Sequence, residues 1–165
     1  MSDAVELYLL RHADAGDPGA WRGPDADRPL SSKGEKQCER LGSFLLAIGF
    51  RPDAIISSPK LRAMQTAERV GDRLGVDVQA ERALAGDADV DDVERLLAEA
   101  GNLRRVMIVG HDPDFSSMLA TLCDFERASM KKGALARIDA RRPLAPGSGE
   151  LRWLVPPDLL KPASG

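Results

Sequence analysis

The sequence predicts an α/β protein in three layers, with helices on both sides of a mainly parallel sheet, and two observations predict it. Apolar runs of strand length alternate with stretches of helical period through most of the chain. Two of those runs, residues 7–10 and 106–109, are apolar at every position, as strands buried on both faces of a parallel sheet are. At 165 residues the chain is long enough for one domain with a real core. No repeat, low-complexity tract or second domain interrupts it, so residues 1–165 are expected to form a single unit.

Bulk properties narrow the function before any motif is considered. A net charge of -3 gives no basic field, which argues against nucleic acid as a partner. No apolar run approaches the roughly 20 residues that span a bilayer, so no membrane partner is expected. Residues 1–6 lack the basic-then-apolar pattern of a secretion signal. Cys38 and Cys123 stand apart among helix-like neighbours, and read as reduced thiols of a cytoplasmic protein rather than a disulfide or metal pair.

The first strand, around residues 7–10, stops at Arg11-His12-Ala13. Residues 14–29, dense in Asp, Gly and Pro, form a loop long enough to suggest function, with Trp21 packing it down. A helix is expected from Ser32, with Ser32 and Glu35 as a capping box, the stripe Cys38, Leu41, Leu45 and Ile48 inward, and Gly49 ending it. Residues 53–57 give the next strand. Ser58-Pro59 should open a second helix, serine at the N-cap and proline at the first helical position. Leu61, Met64, Ala67, Val70 and Leu74 would face inward, with Arg62 in the first turn. Residues 76–78 suggest a short strand and 79–89 a polar connector. Val90, Val93, Leu97 and Ala100 mark a third helix. A strand over 105–110 runs into His111, and Asp112-Pro113 repeats the cap-and-proline start before Phe115, Met118, Leu119 and Leu122. Two further strands, 134–139 and 151–155, flank a Pro/Gly/Ser loop, and the tail is irregular.

In open parallel sheets, chemistry gathers just beyond the carboxyl ends of the strands. The chain has two histidines, His12 and His111, and both stand there. Arg62 in a first helical turn opposes the helix dipole, a cost that makes sense where an anion binds in front of the helix. Two arginines, two histidines and helix N-termini around one point suit a tetrahedral oxyanion, phosphate above all, because guanidinium forks match its oxygens. A metal hydrolase built on His12, Asp14, His111 and Asp112 is the weaker reading of the same residues.

Residues 9–13, Leu-Leu-Arg-His-Ala, resemble the Arg-His-Gly signature of the histidine phosphatase superfamily, which includes the cofactor-dependent phosphoglycerate mutases. Residues 57–67, Ser-Ser-Pro-Lys-Leu-Arg-Ala-Met-Gln-Thr-Ala, look like its second signature, and Val109-Gly110-His111 like its third. The match runs from about residue 5 to 123 in the right order; the strands of about 133–156 lie beyond it. Arg28-Pro29-Leu30-Ser31 followed by Gly34, and the short chain, are similar to the small SixA-type branch of phosphohistidine phosphatases. The resemblance implies a phosphoglycerate mutase-like fold without a cap domain, and needs no metal or cofactor. It implies that His12 attacks phosphorus and becomes a phosphohistidine, while Arg11, Arg62 and His111 hold the non-bridging oxygens and Ser58 assists in binding substrate.

There are two departures. Ala13 stands where most of the superfamily has glycine, adding a methyl group beside the site. The wider family takes its general acid from a Glu two residues after a Leu in the connector, and here that stretch is Leu84-Ala85-Gly86, leaving Glu81 and Asp87 as substitutes. An alkoxide leaving group needs a proton, commonly worth about 100- to 10,000-fold, whereas phosphohistidine leaves as imidazole from a labile P–N bond. The expected substrate is therefore phosphohistidine on a signalling or phosphotransfer protein. Small phosphomonoesters are the alternative, and a non-catalytic phospho-ligand module the third reading, against which the intact His12 argues.

Overall fold

The computed structural model describes residues 3–163. Its strands are β1 (Ala4–Arg11), β2 (Ala54–Ser57), β3 (Val78–Ala80), β4 (Arg105–Gly110), β5 (Leu135–Arg141) and β6 (Gly149–Val155). The helices are α1 (Ser32–Ala47), α2 (Leu61–Leu74), α3 (Val90–Ala100) and α4 (Asp114–Cys123). One sheet runs in the order β3-β2-β4-β1-β5-β6; the first four strands are parallel, β5 is antiparallel to β1, and β6 is antiparallel to β5.

Side-chain alternation along the central strands builds the layers. Tyr8 and Leu10 of β1, with Met107 and Val109 of β4, pack on Leu41 and Leu45 of α1 and on Ala63, Ala67 and Val70 of α2. Their neighbours Leu7, Leu9, Val106 and Ile108 face the other way, onto Val93 and Leu97 of α3 and Phe115 and Met118 of α4. Both faces of β1 and β4 are thus buried, which is why no polar alternation shows in their sequences. The result is the expected three-layer α/β/α sandwich with a mainly parallel sheet. Between β3 and β4 the chain forms a 3-10 turn (Arg82–Leu84) and α3, both laid against the core through Leu84, Val93 and Leu97.

Several details differ from expectation. Helix α1 does begin at Ser32, but its cap is Ser31, whose Oγ accepts from Gly34 N at 3.1 Å. Glu35 instead pairs with Arg69 at 3.1 Å. Ile48 is exposed, since the helix has ended at Ala47. Helix α2 starts at Leu61 rather than Pro59, and no side chain caps it. Arg62, Ala63 and Thr66 are buried at its start, while Leu61 is exposed and Met64 half-buried. The third strand lies at Val78–Ala80, and Ala100 is exposed at the end of α3. Trp21 does fold over its own loop, its Nε1 donating to Pro24 O at 2.8 Å.

The first turn of α1 is pressed on the backbone that follows β1. Ser31 N donates to Asp14 O at 3.0 Å and Ser31 Oγ to Asp14 Oδ2 at 2.6 Å. A Cβ on Gly34 would run into the Asp14 carbonyl, a backbone atom that cannot swing aside. Gly34→Ala should therefore lose about 1–3 kcal/mol of stability in urea unfolding. Gly86→Ala, whose Cβ meets nothing within 4 Å, should stay within about 0.5 kcal/mol.

Candidate active site

Register sets the site. Arg11 of β1 pairs with Gly110 of β4, so the next residues, His12 and His111, emerge side by side with ring centroids 5.3 Å apart. On the other side of β4, Ser57 pairs with Val109, which brings Ser58 to His111; Ser58 Oγ lies 2.7 Å from His111 Nε2. The hydroxyl expected to cap α2 is spent on this bond and on accepting from Lys60 N at 3.2 Å. Arg62 enters from the first turn of α2. One turn on, Thr66 Oγ1 donates to Arg62 O at 2.8 Å and accepts from Ala13 N at 3.1 Å, fixing α2 to the chain just after His12.

His12 is buried, with its Nδ1 2.7 Å from the Ala13 carbonyl. A carbonyl only accepts, so Nδ1 carries the proton and Nε2 keeps its lone pair. Burial pushes the His12 pKa down to about 4, with the charges of Arg62, Arg11 and Lys132 adding to the effect against the Ala13 bond. Burial likewise takes His111 to about 3, reinforced by His12, Arg62 and Lys60 and opposed by Asp25. Both rings are neutral near pH 7.

The arginines are held at their far ends. Arg62 donates from Nη1 to Asp25 O at 2.9 Å and from Nη2 to Asp25 Oδ2 at 3.0 Å. Burial would raise the Asp25 carboxyl, but Arg62 and Arg28 outweigh it and keep it below the usual range. Arg11 donates from Nη1 to Met130 O at 2.7 Å. Among the described residues, the buried side-chain polar atoms without a partner are Arg11 Nε, Arg62 Nε and His111 Nδ1. Arg11 Nε and Arg62 Nε are donors, and His111 Nδ1 is a third in the tautomer in which Ser58 Oγ–H donates to His111 Nε2. Buried donors left unpaired are costly and rare. That all three fall in one constellation, around a histidine with a free lone pair, fits a site made to receive an oxyanion.

The structure thus gathers Arg11, His12, Ser58, Arg62 and His111. The two carboxylates considered for acid catalysis are placed differently, Glu81 beside β2 with its N donating to Ser57 O at 2.8 Å. Glu81 sits near the end of β3, its side chain accepting from Gln79 Nε2 at 3.0 Å, and Asp87 is an exposed residue with φ of 58°. Neither makes a hydrogen bond or ion pair with the gathered residues. Asp14 turns to Ser31 and Asp112 to Ser116, so the four residues of the metal reading do not converge. Sequence reasoning missed Asp25, Thr66 and Met130. Thr66 carried a signal, four residues after Arg62 on one helix face. Asp25 reaches Arg62 across 37 residues, and Met130 acts through its backbone, so neither had one.

Such a sheet edge, with a neutral histidine between two clamped arginines, defines a phosphate-handling α/β protein that uses histidine as its central group. Comparison with known proteins gives the family. Residues 7–100 match the sequence profile of the histidine phosphatase superfamily (branch 1). An uncharacterised protein of Picosynechococcus sp. is 31% identical over 96% of this chain and 100% of its own. Phosphohistidine phosphatase SixA of Escherichia coli K12 is 29% identical over 96% of this chain and 98% of its own. The structure of the protein histidine phosphatase SixA complexed with tungstate superposes with a TM-score of 0.82, at 27% identity, covering 95% of this chain and 100% of that one. The chain belongs to the histidine phosphatase superfamily, and by family it is a phosphatase.

Neutral buried histidines make stability depend on pH. Unfolded, each takes up a proton near pH 6.5, while the folded protein accepts one only near 4 for His12 and 3 for His111. The unfolded state therefore binds more protons in that window, and stability falls as pH drops from 6.5 toward 4. The slope is at most about 1.4 kcal/mol per pH unit for each histidine. Urea unfolding at pH 7 and pH 5 should show the loss, and His12→Gln should remove about half of it.

Proposed function

We propose that the protein hydrolyses phosphohistidine carried on a signalling or phosphotransfer protein, through a phosphohistidine formed on His12. The observation that carries the reading is the neutral, buried His12, its Nδ1–H on Ala13 O and its Nε2 free beside three unpaired donors. The similarity to SixA of Escherichia coli supports it. In the first step His12 Nε2 attacks phosphorus in line and the P–N bond of the substrate breaks. With its other ring nitrogen protonated, the substrate imidazole departs neutral and needs no proton from the enzyme. Arg11, Arg62 and His111 hold the equatorial oxygens, where charge accumulates, and Ser58 assists by donating to His111 Nε2 and so leaving the proton on Nδ1. Water then attacks the phosphorus of phosphorylated His12 and inorganic phosphate leaves. The site's own residues suffice for both steps, so the reading includes no metal or cofactor. It also keeps the cytoplasmic setting expected from the cysteines, and no described helix is long and apolar enough to cross a membrane.

Assay of the purified protein in EDTA tests the reading. A phosphohistidine protein should be cleaved fastest, p-nitrophenyl phosphate more slowly, and glycerol phosphate, whose alkoxide needs an acid, slowest. Efficient cleavage of glycerol phosphate with phosphohistidine untouched would overturn it. His12→Ala should abolish turnover, and wild type quenched during turnover should carry acid-labile phosphate; a fully active alanine variant would remove the nucleophile assignment. Glu81→Ala and Asp87→Ala should each change phosphohistidine cleavage less than about tenfold. A loss above about 100-fold in either would restore a general acid and favour small phosphomonoesters.

A further inference from the structure

We propose that Asp112 and Ser116 are positioning residues for Arg11, and that through Met130 they fasten it to the segment leading into β5. The proposal rests on the phosphate-site reading above. Arg11 has less to hold it than Arg62: its side chain is 21% exposed against 7%. Its terminal nitrogen is caught in a closed circuit. Arg11 Nη1 donates to Met130 O at 2.7 Å, and Met130 N donates to Ser116 Oγ at 2.9 Å. Ser116 Oγ donates to Asp112 Oδ2 at 2.7 Å, and that same Oδ2 lies 3.5 Å from Arg11 Nη1. Two backbone bonds close the other side, Gly133 N donating to Arg11 O at 3.1 Å and to His12 O at 2.9 Å. With Nη1 fixed in this way, Nε is the edge left for an anion.

Helix capping does not account for the arrangement. Asp112 Oδ1 accepts from Ser116 N at 3.0 Å, which is all that the first turn of α4 asks of it. The second oxygen is committed to Ser116 Oγ and Arg11. Nor does charge recommend the residue, because a carboxylate this near Arg11 repels a phosphate bound there. Asp112 is useful at the site only if orienting Arg11 outweighs that repulsion, and the two effects have opposite signs.

Tungstate, a tetrahedral oxyanion, reads the sign. Its affinity is measured by calorimetry for wild type, Arg11→Ala, Asp112→Ala and the double variant, with thermal melts as a folding control. Asp112→Ala should weaken tungstate about tenfold, or about 1.4 kcal/mol, and Asp112→Asn, which keeps an oxygen for Ser116 N, should weaken it less. In the Arg11→Ala background the same substitution should cost nothing or tighten binding, since repulsion alone remains to be relieved. If Asp112→Ala does not fold, Asp112→Asn and Ser116→Ala carry the test, the latter with a loss of about threefold. Tighter tungstate binding by Asp112→Ala in the wild-type background would overturn the proposal. So would an equal loss with and without Arg11, which would mean that Asp112 acts through the fold. Wild type that binds no tungstate would overturn the phosphate-site reading itself, and the positioning proposal with it.

Discussion

Positive charge that cannot be given away governs this sheet edge. An arginine stays protonated wherever it is placed, and here two of them stand beside two histidines in a largely buried setting. Uncompensated, charges there would cost several kcal/mol each. The fold compensates in two ways. Burial and the arginines drive the protons off both histidines, so the constellation carries two charges rather than four. Each arginine then meets a carboxylate at its terminal nitrogens, Asp25 at 3.0 Å from Arg62 and Asp112 at 3.5 Å from Arg11. Both carboxylates lie on the far side of the guanidinium from the free Nε, so compensation does not fill the anion's place.

Sheet topology makes such a concentration possible. Because β1, β4 and β2 are parallel neighbours, their carboxyl ends line up, and each contributes its next residue to one point: His12, His111 and Ser58. An antiparallel strand in that row would deliver its opposite end. Strand β5 is such a strand, and it enters differently, through the chain that precedes it: Gly133 N bonds Arg11 O and His12 O, and Ala134 O accepts from Arg11 N at 3.1 Å. The segment before β5 is thereby sewn to β1, which is how a backbone carbonyl as distant in sequence as that of Met130 comes to hold Arg11.

What was legible in the sequence followed from locality. Strands buried on both faces, the stripe of α4 and the emergence of His12 and His111 at strand ends are properties of short windows, and the structure shows each of them. Helix starts were less legible because their chemistry is shared. Ser58 followed by Pro59 has the form of a cap, yet the hydroxyl turns to His111, and α2 begins at Leu61 with Arg62 buried in its first turn. Ser31 and Ser32 are chemically equal candidates, and contact with Asp14 decides between them. Asp25 was illegible for a different reason: nothing in a loop rich in aspartate marks the one whose carboxylate meets an arginine 37 residues away.

The depressed histidine pKa has a meaning beyond nucleophilicity. When Nε2 bonds to phosphorus while Nδ1 keeps its proton, the ring acquires the positive charge that protonation would have given it. The burial that leads in holding the His12 pKa near 4 also disfavours the positive ring of phosphorylated His12, whereas the nearby cations, which repel a proton, attract the phosphoryl group. One contact works the other way, the Ala13 carbonyl 2.7 Å from Nδ1, which strengthens as the ring becomes cationic. In the proposed reaction these opposed effects divide the two steps between them. The carbonyl and the arginines, which attract the phosphoryl oxygens, make the intermediate reachable, and the burial of its cationic ring keeps it from becoming a resting state. A histidine phosphatase has to give its phosphate to water, and a site that tolerates its own phosphohistidine poorly is suited to that.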